Sequence, residues 1–118
     1  MSDSGKPPVD AEALSVYLDK LAREGRTVTY QEAAQALGLE PPQTIHRLAL
    51  ALETSMSEDA AVGRPLRAAS VVSRAGAGLP ARGFFAHARA LGRYHGPESG
   101  AEARDFHAAE LRAVRERA

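Results

Sequence analysis

Between Thr29 and Pro42 the chain carries a helix start, a helix stop and a sharp corner in fourteen residues, and few folds accommodate all three. Thr29-Tyr30-Gln31-Glu32 has the form of a capping box, in which the Thr hydroxyl takes the third helical amide and the Glu side chain reaches back. The helix it starts, Tyr30 to Leu37, turns Ala33, Ala34 and Leu37 inward and stops at Gly38. Leu39-Glu40-Pro41-Pro42 makes the corner, and Pro42 suits the first position of a second helix from Pro42 to Thr54. Ile45, Leu48, Ala49, Leu52 and Met56 fall on one face of that helix, which predicts a single buried stripe. A short helix, a corner and a longer helix outline a helix-turn-helix, placed at residues 28–56.

The flanks fit one domain, as the length of 118 residues suggests. Residues 1–8 read as a disordered lead-in and residues 9–118 as the domain. Leu14, Tyr17, Leu18, Leu21 and Ala22 recur at helical spacing, so a first helix runs from Asp10 to Glu24 and halts at Gly25. Arg26 to Thr29 suits one small strand. Ser57 to Gly63 either extends the second helix of the motif or forms a loop. Arg64 to Ser73 alternates loosely and reads as a strand, Arg74 to Gly78 as a flexible turn, and residues 64–85 together as strand and wing. Phe84 to Leu91 is helical, with the Phe84-Phe85 pair read as core or with one ring exposed. Ser99-Gly100-Ala101-Glu102 resembles a second capping box, opening a final helix over 99–118 anchored by Phe106, Leu111 and Val114. The expected fold is mainly α with a small β wing: a winged helix-turn-helix with extra N- and C-terminal helices.

Fifteen basic and fifteen acidic residues cancel overall, but not locally. Residues 1–62 hold ten acids and five bases, residues 63–97 hold six arginines and no acid, and residues 98–118 hold five acids and four bases. Arg presents a planar fork of donors that matches phosphate and carboxylate, so an acid-free arginine stretch points to anion recognition.

On the motif's second helix, Gln43, His46, Arg47, Leu50 and Thr54 lie opposite the apolar stripe. Near its start, Gln43, Thr44, His46 and Arg47 offer groups able to reach base edges or phosphates. Arg67, Arg74 and Arg82 are the expected backbone clamps of the wing. The acids of residues 1–62 would repel DNA beside that wing, so the two signs must occupy different faces.

Val28-Thr29-Tyr30-Gln31-Glu32-Ala33-Ala34-Gln35-Ala36-Leu37-Gly38 resembles the start of the helix-turn-helix in alkylguanine-DNA alkyltransferases and the non-enzymatic alkyltransferase-like proteins. The resemblance spans residues 28–85 and is specific over those first eleven. It implies a winged helix that enters the minor groove, with Tyr30 near a DNA phosphate and Gln43 where the family carries its intercalating arginine, Arg47 lying one turn later. The family's Pro-Cys-His-Arg segment falls near Leu66 to Val72, where nothing matches. Without a thiolate nucleophile alkyl transfer cannot occur, and the His-Arg that alkyltransferase-like proteins usually retain is also absent.

The chain has no cysteine, which excludes disulfides and thiolate metal sites. His46, His87, His95 and His107 show no ligand spacing, and Gly76-Ala77-Gly78 is not followed by Gly-Lys-Ser/Thr. The sequence therefore predicts no enzyme, no metal and no cofactor. Lacking an apolar run of membrane-spanning length and a signal-peptide core, it reads as cytoplasmic, with no membrane partner. Duplex DNA is the expected partner. The alternatives are a homodimer or an acidic protein docked on Leu50, Phe85 and the arginines, and a damaged-base sensor with a pocket beside Tyr30 and Leu66 to Val72.

Overall fold

A computed structural model describes residues 9–75 and 78–118. In chain order its elements are α1 (Ala11–Glu24), β1 (Val28–Thr29), α2 (Tyr30–Ala36), α3 (Thr44–Ala61), a 3-10 turn (Arg67–Ser70), β2 (Val71–Val72), α4 (Arg82–Ala90) and α5 (Ala101–Arg117). The fold is mainly helical with a small two-stranded parallel sheet. Residues 1–8, expected to be disordered, and Gly76-Ala77 of the expected flexible turn lie outside the described residues.

The first two helices begin and end where local chemistry dictates. The Asp10 carboxylate accepts the Glu12 and Ala13 amides at 2.9 and 3.2 Å, and a left-handed Gly25 closes α1. At α2 both halves of the capping box form: Thr29 Oγ1 accepts the Glu32 amide at 3.1 Å, and Glu32 Oε1 accepts the Thr29 amide at 2.8 Å.

α3 departs from expectation at both ends. Gln43 takes a left-handed conformation (φ 58°), so the helix begins at Thr44 rather than Pro42; the Pro41–Pro42 bond is cis. It then continues to Ala61, absorbing most of the stretch left open as helix or loop. Leu48, Leu52 and Met56 are buried as predicted, and the stripe goes on through Ser55 and Asp59. Ile45 is a correction: at 39% exposure it stands outside the core, on the surface beside Tyr30 and Gln31, and Ala49 is only half-buried.

The centre of the molecule is the Arg67–Ser70 turn, packed against α1, α3 and α5. The expected strand over Arg64 to Ser73 is thus a 3-10 turn followed by a two-residue strand. Ala68, Ala69 and Ser70 are all buried, and their small side chains let three helices close around the backbone. Polar groups buried there need partners, and side chains supply them. Glu110 Oε1 accepts the Leu66 amide at 2.9 Å, Asp59 Oδ2 accepts the Arg67 amide at 3.1 Å, and the His107 Nε2 lies 2.8 Å from the Ala69 carbonyl. Burial holds the His107 imidazole below its ordinary pKa; the Ala69 carbonyl raises it in part and Arg115 lowers it. A neutral ring with Nε2–H donating to Ala69 follows.

β1 and β2 pair in parallel, Val28 with Val71 and Thr29 with Val72. No antiparallel wing hairpin occurs among the described residues: β2 runs into a loop closed by the Ser73 amide donating to the Leu79 carbonyl at 2.7 Å. α4 and α5 add an aromatic cluster, with Phe84 edge-on to Phe85 at 5.2 Å and Tyr94 stacked on Phe106 at 4.6 Å. Phe85 is fully buried, which removes it from the expected docking face. The second capping box does not form either. Gly100, not Ser99, precedes α5, at a φ of 88° that no side chain caps. Ala103, His107 and Val114 seat that helix, with Phe106 and Leu111 half-buried.

Candidate functional site

Folding brings carboxylates to most of the acid-free arginine stretch. Arg67 donates to both oxygens of Asp59 at 3.1 and 3.2 Å, and reaches Ser15 Oγ at 2.7 Å and Asp19 at 3.2 Å. Its side chain is only 11% exposed. Burial opposes the charge, but the hydrogen bonds and attraction of Asp59, then of Asp19, hold the guanidinium above the ordinary arginine pKa. Arg64 lies 3.2 Å from the same Asp59. Arg93 pairs with Glu110 and donates to the Arg64 carbonyl; Arg89 pairs with Glu98 and donates to the Gly96 carbonyl. Arg82 meets Glu98 at 3.2 Å while staying 89% exposed. Arg74 is exposed and has no carboxylate within ion-pair distance among the described residues.

Two expected contacts are corrected by these partners. Arg67 is a structural ion pair of the interior and not a clamp. Arg47 folds back on the corner, its Nε donating to the Pro42 carbonyl at 3.1 Å and its terminal nitrogen to the Glu40 carbonyl. It fastens the corner instead of reaching outward.

The parallel register sets what remains. Thr29 and Val72 end their strands side by side, so Tyr30-Gln31 and Ser73-Arg74 emerge at one edge. With Thr29 and Ile45 they line a groove of about 260 Å³ that contains no carboxylate. Ile45 belongs to the first turn of α3, where Gln43 and His46 are exposed and Thr44 is half-buried. No side chain caps this helix start, which leaves its first amides for an outside acceptor. Of the expected contact residues, Tyr30 and Arg74 line this groove, while Gln43, Thr44 and His46 flank Ile45 in the chain without lining it. Tyr30 is half-buried there, and its hydroxyl accepts the Ala81 amide at 3.0 Å. Burial raises the Tyr30 pKa, the Ala81 bond lowers it in part and Glu53 raises it, so the phenol stays protonated. Tyr30 ties the loop after β2 to α2, and Arg82 follows directly on the amide it holds.

Behind Tyr30, a space of about 30 Å³ lies among Leu52, Glu53, Ala68, Ala81 and Phe84. That is room for about two or three waters at most, since one water needs roughly 10–15 Å³. On α3, Leu50 is 51% exposed beside a cavity of about 230 Å³ lined by Val9, Leu14 and Ala51.

Sequence reasoning missed two features. Asp59 is wholly buried and organises Arg64 and Arg67, but its partners assemble only in three dimensions. Its position one helical turn below Ser55 and Met56, on the apolar stripe, was the available signal. Ser57 Oγ and His87 Nε2 lie 2.9 Å apart across α3 and α4. The Ser57 hydroxyl also lies 3.2 Å from the Glu53 carbonyl, and none of the cavities described here opens on the pair. Among the described residues no cluster of three or more His, Asp or Glu could hold a metal ion, and no helix is long and apolar enough to cross a membrane.

No known protein family, curated protein or solved structure matches the chain.

Proposed function

We propose that this chain is a non-enzymatic DNA-binding module of winged-helix type, using the edge where β1 and β2 end. The observation that carries the reading is the carboxylate-free groove, in which Arg74 stands beside the uncapped first turn of α3. The helix start offers amides and a positive dipole end to one phosphate, and Arg74 offers a bidentate fork to another. Gln43 and His46 reach toward base edges from the same turn. Arg82 joins as an exchangeable clamp: an exposed ion pair such as Arg82–Glu98 contributes only about 0–1 kcal/mol, so a phosphate can replace Glu98. The loop from Ser73 to Ala81, held by Tyr30, takes the place of the wing. This retains the scaffold implied by the alkyltransferase-like resemblance. The small space beside Ala68 argues against the damaged-base reading, because a flipped base needs far more than 30 Å³.

The test is titration of a labelled duplex across a salt series. Each phosphate contact contributes a slope of roughly −0.9 in log affinity against log salt. Replacing Arg74 and Arg82 together by Ala is expected to flatten that slope by about 2 units. Salt-insensitive binding, or a slope indifferent to both substitutions, overturns the reading. The exposed Leu50 and its apolar cavity favour a second reading, a protein-interaction module. A salt-sensitive dimer in light scattering, with no duplex retained, would support it.

A further inference from the structure

A second cavity, sharing no residue with the groove above, lies between the C-terminal ends of α1 and α5 and the entry to the central turn. Its volume is about 320 Å³, at the lower end of the roughly 300–1,000 Å³ range of small-molecule sites. Arg23 from α1, Arg64 and Arg67 from the central segment, and Arg117 from α5 line it, against one acidic side chain, Asp19, and the last residue, Ala118. Asp59 lies behind Arg64 and Arg67 and is already spent on them. Asp19 is engaged by Arg67. Arg23 and Arg117 have no carboxylate partner among the described residues. Arg64 Nε, although close to Asp59, is a buried donor with no aligned hydrogen-bond acceptor. The four guanidiniums outnumber the acidic groups at the cavity, Asp19, Asp59 and the Ala118 carboxylate, and a phosphate monoester of about −1.5 to −2 charge near neutral pH would engage the two that lack an acidic side-chain partner.

We propose that this cavity is a binding site for a small organic phosphate, gripped by Arg23, Arg64 and Arg117, with Arg67 as a fixed floor. Each arginine has a distinct part. Arg67 is immobilised by Asp59, Asp19 and Ser15, so it forms a rigid floor to the cavity. Arg23 and Arg117 are exposed, come from different helices, and close on the anion from two sides with bidentate forks. Ala22, Pro65 and Val114 supply an apolar wall, which suits an organic substituent on the phosphate better than a bare ion.

The experiment is calorimetric titration of the full chain with inorganic pyrophosphate at fixed ionic strength, for the parent and for R23A/R117A. Both replaced side chains are exposed, so the variant folds, which circular dichroism verifies. Saturable binding by the parent, weakened about tenfold or more in the variant, is the expected result. No saturable heat at millimolar pyrophosphate, or a loss smaller than that, overturns the proposal. A parallel duplex titration separates this site from the nucleic-acid edge: R23A/R117A is expected to keep the parent's duplex affinity and salt slope. An equal loss of duplex binding overturns the assignment to a small phosphate by making these arginines part of a nucleic-acid contact.

Discussion

The segments Arg64–Ser70 and Ser73–Arg82 are neighbours in one acid-free stretch, and the fold treats their cations in opposite ways. In the first, Arg67 is drawn inside and wrapped by Asp59, Asp19 and Ser15. In the second, Arg74 stays in solvent and Arg82 touches Glu98 only from an exposed position. The difference follows from what lies between them. Small residues at 68–70 allow α1, α3 and α5 to close over the first segment, whereas the second leaves the core past Val72. Charge within a segment therefore says little about charge on a surface until the partners from other elements are placed.

The sharpest way to break this contrast is Asp59→Ala, which leaves Arg67 buried without its main partner. Losing one member of a buried pair typically costs about 3–5 kcal/mol, so urea denaturation is expected to show a loss of that order. A loss under about 1 kcal/mol would mean that Arg67 escapes to solvent and the interior assignment fails. Tyr30→Phe acts on the other segment. It leaves the Ala81 amide without its acceptor, at an expected cost of about 1–2 kcal/mol, and hydrogen exchange at that amide should quicken.

A pH series probes the first segment through His107, whose ring serves the Ala69 carbonyl. Its folded pKa is held below the ordinary 6.5, chiefly by burial, so the unfolded chain binds the proton more readily. The stability this group contributes is complete above about 6.5 and is lost as the pH falls through the folded value. Denaturant midpoints at pH 7.5 and pH 5.5 should differ in that direction, and His107→Gln should shrink the difference. The smallest effect belongs to Arg74→Ala. An exposed cation without a partner should change stability by no more than about 0.5 kcal/mol, and a larger loss would show that Arg74 has a structural role.

Local chemistry made α1 and α2 legible. Asp10, Gly25, Thr29 and Glu32 act on amides within a few residues of themselves, so their effect is written in adjacent letters. α3 was readable in its middle and not at its start, because Gln43 adopts a left-handed conformation that helix propensity does not encode. Ser99 to Glu102 has the letters of a cap without the geometry, since Gly100 takes the capping position. Tyr30 and Arg74, expected at the motif and at its wing, line one groove. Arg67 was misjudged because Asp59 lies eight residues away and Asp19 forty-eight, and only packing joins them.

The side-by-side strands have one further consequence. The Ser73 amide donates to the Leu79 carbonyl, so the two ends of this loop are fixed to each other before the chain re-enters the interior at Pro80. Replacing or lengthening the loop between those two ends should leave the packing of Leu66 through Val72 untouched. The packed interior and the surface loop are thus separable, and exchange of the loop is expected to leave the stability of the interior unchanged.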